Sequence, residues 1–175
     1  DSICIEDHCF EFTGNEMHSK YMNIIVFALA YECNLREIRL KNISLETFFT
    51  NCGTLFHYNR FVEKIVIDSC EYDNFIAPLQ KLLKEEHLFS PNEWSFVNQN
   101  CNDQFISLMS NIPNIVSRIT ALEFISCRFT KNTMEDLFQE IYFNECYHSL
   151  EKIRFSHLNQ INGLGELMCS LLSSN

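Results

Sequence analysis

ITALEFISCRF, residues 119–129, places apolar side chains at Ile119, Leu122, Phe124, Cys127 and Phe129. Steps of three, two, three and two match neither a helix nor an alternating strand over the whole stretch. The same order returns elsewhere. LREIRLKNISL from Leu35, VEKIVIDSCEY from Val62 and LEKIRFSHLNQ from Leu150 all carry apolar residues at the first, fourth and sixth places. The ninth place is Cys70 or Cys127 in two copies and Ile43 or Leu158 in the others. A looser copy, PNEWSFVNQNC from Pro91, puts Trp94, Phe96 and Gln99 in the matching places. A partial copy, ICIEDHCF, opens the chain with Ile3 and Ile5 in the fourth and sixth places.

Counted from Leu35, the copies start 27, 29, 28 and 31 residues apart, and the step back to the opening copy is 35. Near-constant spacing of this kind marks a repeat architecture. The segments between copies have helical periodicity. In DNFIAPLQKLLKEE, Phe75, Leu79, Leu82 and Leu83 share one face, and TKNTMEDLFQEIYF gathers Met134, Leu137, Phe138, Ile141 and Tyr142 behind a cap at Thr130 or Asn132. NDQFISLMSNI gathers Phe105, Leu108, Met109 and Ile112, and further helices are expected over 17–33, 45–58 and 161–172. Strand then helix, six times, predicts an α/β chain. Its strands, near 3–5, 37–41, 64–68, 93–97, 121–125 and 152–156, should form a parallel, curved sheet with helices outside. No linker or low-complexity tract divides residues 1–175, so they form a single domain.

The motif LxxLxLxx(C/N)xL with a period near 28 resembles the leucine-rich repeats, and the helical backs resemble their ribonuclease-inhibitor-like class. That resemblance implies a horseshoe solenoid of about six repeats over nearly the whole chain. Irregular spacing and Phe-rich strands are also similar to the repeat domain of CARMIL-type actin regulators. Asn, common at the ninth place of such repeats, is missing from these copies. The segments by which CARMIL proteins bind capping protein lie outside their repeats, so no functional residue carries over.

Charge narrows the partners. A formal charge of −10 with only 13 scattered basic residues disfavours nucleic acid and anionic membrane surfaces. The longest apolar stretch, MNIIVFALAYEC (22–33), is about half of what a bilayer needs, predicting a buried helix and no membrane insertion. Nine cysteines without a CxxC pair speak against a disulfide framework or a zinc finger, and favour free thiols in a reducing cytoplasm.

None of GxxxxGK[ST], GxGxxG, HExxH or GxSxG occurs, so no cofactor, metal or catalytic residue is assigned. Cys146 and His148 lack a third member and fit a loop, while His8 and Cys9 fall at the turn after the opening copy. Cys70 and Cys127 should point inward and satisfy backbone groups. The surface expected to act is the concave face, formed by the third, fifth and seventh places. There lie Arg39, Lys41, Lys64, Val66, Asp68, Glu93, Val97, Glu123, Ile125, Lys152 and Arg154, with basic residues toward both ends. Val66, Val97 and Ile125 would form an apolar strip.

The expected function is a non-catalytic protein–protein interaction scaffold in the cytoplasm, in cytoskeletal regulation. The alternatives are a GTPase-activating protein using Arg39 or Arg154, or a structural component of a large cytoskeletal or ciliary assembly. Uncovered apolar residues at both ends (Ile3 and Ile5; Leu167, Met168, Leu171 and Leu172) predict an excerpt of a longer array that associates end to end.

Overall fold

The computed structural model describes residues 7–14, 16–72, 74–78, 81, 91–112, 119–159 and 165. Its strands are β1 (Cys9–Thr13), β2 (Glu37–Lys41), β3 (Lys64–Asp68), β4 (Glu93–Val97), β5 (Asn100–Cys101), β6 (Ala121–Ile125), β7 (Arg128–Phe129) and β8 (Lys152–Ser156). Its helices are α1 (Glu16–Ala30), α2 (Leu45–Asn51), α3 (Gly53–Tyr58), α4 (Asp103–Asn111) and α5 (Lys131–Phe143), with a 3-10 turn at Glu145–Ser149. Six strands make one parallel sheet in the order β1-β2-β3-β4-β6-β8, and β5 pairs with β7 in a separate short ladder. The large sheet is open, neither closed nor curled, and neighbours in space are neighbours in sequence.

Every strand of the large sheet spans the third to seventh places of its copy, and the register aligns like with like. Ile38, Ile65, Trp94 and Leu122 form one row, and Leu40, Ile67, Phe96 and Phe124 the next. Both rows are buried and join the helix residues Met22, Phe48, Phe105, Leu108 and Leu137 in one core. Part of the abundant phenylalanine lies in this row. Phe96, Phe124 and Phe155 stack on adjacent strands at 5.5 and 5.0 Å, and Phe105 of α4 meets Phe96 edge-on at 5.1 Å.

Five strands fall where the motif predicts them; the first does not. Residues 3–5 lie outside the described residues, and the strand paired with β2 is Cys9–Thr13. In this frame the first copy starts at Asp7, 28 residues before Leu35, instead of 35. Its ninth place in the sequence becomes Asn15, which is itself outside the described residues. Cys9 is therefore a strand residue and not part of a turn.

A turn ladder closes each unit. At the eighth place Asn42, Ser69, Asn98, Ser126 and His157 all adopt left-handed backbone, with φ between 51° and 55°. This geometry aims the amides of the first four at the seventh-place carbonyls of the next unit: Asn42 to Asp68, Ser69 to Val97, Asn98 to Ile125 and Ser126 to Ser156. Gly14 takes the same place in the first unit, where a Cβ would collide with the carbonyl of Asn42. The ninth-place side chain then turns inward. Cys70, Gln99 and Cys127 each donate to the sixth-place carbonyl of the preceding unit, at 3.3, 3.0 and 3.3 Å. The two thiols thus satisfy backbone groups as expected, and a glutamine does the same work with two bonds.

Caps set the helix starts. Thr130 and Thr133 exchange side-chain bonds with each other's amide at 3.1 and 3.0 Å, so Thr130 is the cap of α5. Ser44 and Asn102 cap α2 and α4. The single helix expected over 45–58 is two helices, broken at Cys52–Gly53, which lets Phe48, Phe49, Leu55 and Phe56 all reach the core. The helices expected over 73–86 and 161–172 fall largely outside the described residues. Among the described residues no helix is long and apolar enough to cross a membrane.

Candidate functional site

Strand alternation puts the third, fifth and seventh places on the sheet face opposite the helices. The fifth-place row runs Glu11, Arg39, Val66, Ser95, Glu123, Arg154, and the seventh-place row runs Thr13, Lys41, Asp68, Val97, Ile125, Ser156. The third-place row is Cys9, Glu37, Lys64, Glu93, Ala121, Lys152. The face therefore carries five basic and five acidic side chains and is locally neutral, on a chain whose net charge is −10.

The charges are organised. Lys64 Nζ stands 3.4 Å from Glu123 Oε2 although β4 lies between their strands, and Lys152 Nζ reaches Glu123 Oε1 from the other side at 2.7 Å. Lys64 also approaches Glu37 at 3.8 Å, and Arg39 bonds Glu37 at 3.1 Å. A crossing over β4 needs a short side chain beneath it, and Ser95 occupies that position in register with Glu123. The Lys152 ammonium, reinforced by Lys64, holds the Glu123 carboxyl below its usual value against the opposing effect of burial.

The eleven residues expected on this face all lie there, but their exposure divides them. Arg39 and Lys41 on β2, next to the β1 edge, and Lys152 and Arg154 on the β8 edge are exposed. Lys64, Asp68, Glu93, Val97 and Ile125 are half-buried. Val66 and Glu123 are buried, only 3% and 8% exposed. Strands about 4.8 Å apart let long neighbours overshadow a short or tethered side chain. Val97 and Ile125 are register partners, whereas Val66 pairs with Ser95 one row away, so the expected apolar strip contracts to a pair.

The other candidates separate as well. Cys146 is buried within the 3-10 turn while His148 faces outward, so the two do not form a working pair. The His8 ring lies 2.9 Å from the carbonyl of Asn34. Cys9 Sγ donates to Glu37 at 3.4 Å, and burial with that carboxylate pushes its pKa up to about 11. Among the described residues no group of three or more His, Cys, Asp or Glu could hold a metal ion.

One surface escaped the sequence reading. The run 22–33 buries Met22, Ile25, Val26 and Leu29, yet the opposite side of α1 is apolar too: Ile24, Phe27 and Tyr31 are exposed. A run that is hydrophobic all round carries no periodic signal to separate a core face from an outer one.

Comparison with protein-family models finds no match, and no curated protein matches the chain.

Proposed function

We propose that this chain is a protein-binding scaffold of the leucine-rich-repeat type, ribonuclease-inhibitor-like in its helical backs. It would act without catalysis, as a stretch of horseshoe solenoid, in the cytoplasm and in cytoskeletal regulation. The observation that supports the reading most is the neutral sheet face of an acidic chain, with exposed cations on β2 and β8 and a tethered middle. Arg39 and Lys41 on β2 and Lys152 and Arg154 on β8 stand four strand steps apart, roughly 19 Å. The fitting partner is a protein surface with two acidic clusters at that separation, laid across the strands. Opposite charge steers the encounter and sets its register more than it sets affinity.

Paired charge reversals test this. The full chain, the β2 variant Arg39→Glu/Lys41→Glu and the β8 variant Lys152→Glu/Arg154→Glu are used to capture proteins from cell extract, with Phe143→Asp as a control away from the face. A protein lost by both reversals and kept by the control supports the reading. Identical captures by all four chains refute it.

A further inference from the structure

The outer side of α1 is an apolar surface that the sheet-face reading leaves unused. Ile24, Phe27 and Tyr31 are 64, 58 and 61% exposed and follow one another at steps of three and four. The patch continues onto α3. Tyr31 stacks on Tyr58 at 5.2 Å, Phe27 meets Tyr31 edge-on at 5.4 Å, and His57 meets Tyr58 at 4.5 Å. These residues point away from Met22, Ile25, Val26 and Leu29, so the patch looks outward from the helix layer, opposite the charged sheet face.

Steps of three and four on one side of a helix form a seam for another helix. We propose that the occupant is α1 of a second copy of this chain, packed antiparallel about a two-fold axis near Phe27. Two features favour that partner. Lys20 lies just before the kink that Tyr21 makes in α1, and Glu32, whose Oε1 accepts from the Asn34 amide at 2.9 Å, lies just beyond its C-terminal end, so an antiparallel pair brings each lysine toward Glu32 of the partner subunit. A parallel pair would set like charges together. The second feature is size. An aromatic side chain carries about 150–250 Å² of surface. Phe27, Tyr31 and Tyr58, each somewhat more than half exposed, together with Ile24 therefore offer roughly 400 Å² per copy. Two copies with a polar rim would bury about 1,000 Å², the range of reversible dimers rather than permanent ones. The seam would leave the sheet face open, so both surfaces can be used at once.

Sedimentation velocity of the full chain from about 1 to 100 μM decides it. The expected result is a reversible dimer with a roughly micromolar dissociation constant. Phe27→Asp should raise that constant more than tenfold with an unchanged melting temperature, and Ile24→Gln should weaken it in the same direction. Phe143→Asp, at another exposed aromatic, should leave it unchanged. Lys20→Glu should weaken the dimer about threefold, and adding Glu32→Lys should restore it. A chain that stays monomeric at 100 μM overturns the proposal. So does a dimer that survives both Phe27→Asp and Ile24→Gln, or a double charge swap that fails to restore it.

Discussion

Tyr72 and Gln99 hold one another inside the core: the phenol hydroxyl donates to Gln99 Oε1 at 2.6 Å. The same amide donates from Nε2 to the carbonyls of Ile67 and Val97, each at 3.0 Å. One side chain therefore ties the β3 and β4 ends and the residue that follows the turn. Burial pushes the Tyr72 hydroxyl well above its ordinary pKa, so it stays a neutral donor.

Gln99→Leu leaves the Tyr72 hydroxyl without its acceptor and takes a donor from the Ile67 carbonyl, while the Val97 carbonyl keeps the Ser69 amide, and should cost about 2–3 kcal/mol. Tyr72→Phe leaves only one acceptor unpaired and should cost about 1–2 kcal/mol. Urea unfolding of both variants checks the order; equal losses would mean that the network is not what Gln99 supplies.

The left-handed eighth place costs a non-glycine residue about 1 kcal/mol. Ser126, at φ 55°, should gain about 0.5–1 kcal/mol on replacement by glycine, while Ser126→Ala should gain nothing. Thermal melts of the two variants measured together settle the point.

Glu123 supplies a pH dependence of known sign. Its folded pKa is lowered, chiefly by Lys152, so the carboxylate contributes stability that is present above the unfolded value, about 4.3, and is lost as pH falls through the folded one. Glu123→Gln should be about 1–2 kcal/mol less stable at pH 7, with the gap closing in acid. A gap independent of pH would show that the ion pairs contribute nothing.

Thiol chemistry should sort by depth. Cys33 is exposed, Cys9 half-buried, and Cys52, Cys70, Cys101, Cys127 and Cys146 buried, all as free thiols. Burial pushes Cys70 up to about 11 and raises Cys52 and Cys101 too. Among these seven, a maleimide should label Cys33 first in the folded protein, Cys9 slowly and the buried five only after denaturation. Mass spectrometry of the labelled peptides reads the order.

The strands that were legible in the sequence are those whose copies keep a bulky first place: Leu35, Val62, Pro91, Ile119 and Leu150. The first copy has Asp7 there, so its frame slipped to Ile3 and Ile5 and missed Phe10 and Phe12. Membership of the sheet face followed from alternation alone. The burial of Glu123 did not, because it depends on how far Lys64 and Lys152 reach across the strands, and the motif does not encode that reach. The break between α2 and α3 escaped for a related reason, since both halves are apolar and only Gly53 marks the join.

The one-after-another order of the sheet governs how the chain comes apart. Each strand pairs only with strands one unit away, across loops of nearly equal length, so closing each one carries a similar entropic cost. Among the described residues no strand pairing joins β1 to β8. Under tension the described sheet has no pairing between its two edges that must yield first, so it can peel one strand and its helix at a time from either edge. A tethered chain stretched by force should lengthen in a run of small increments of about 28 residues, and slackening should rewind it from whatever rungs remain.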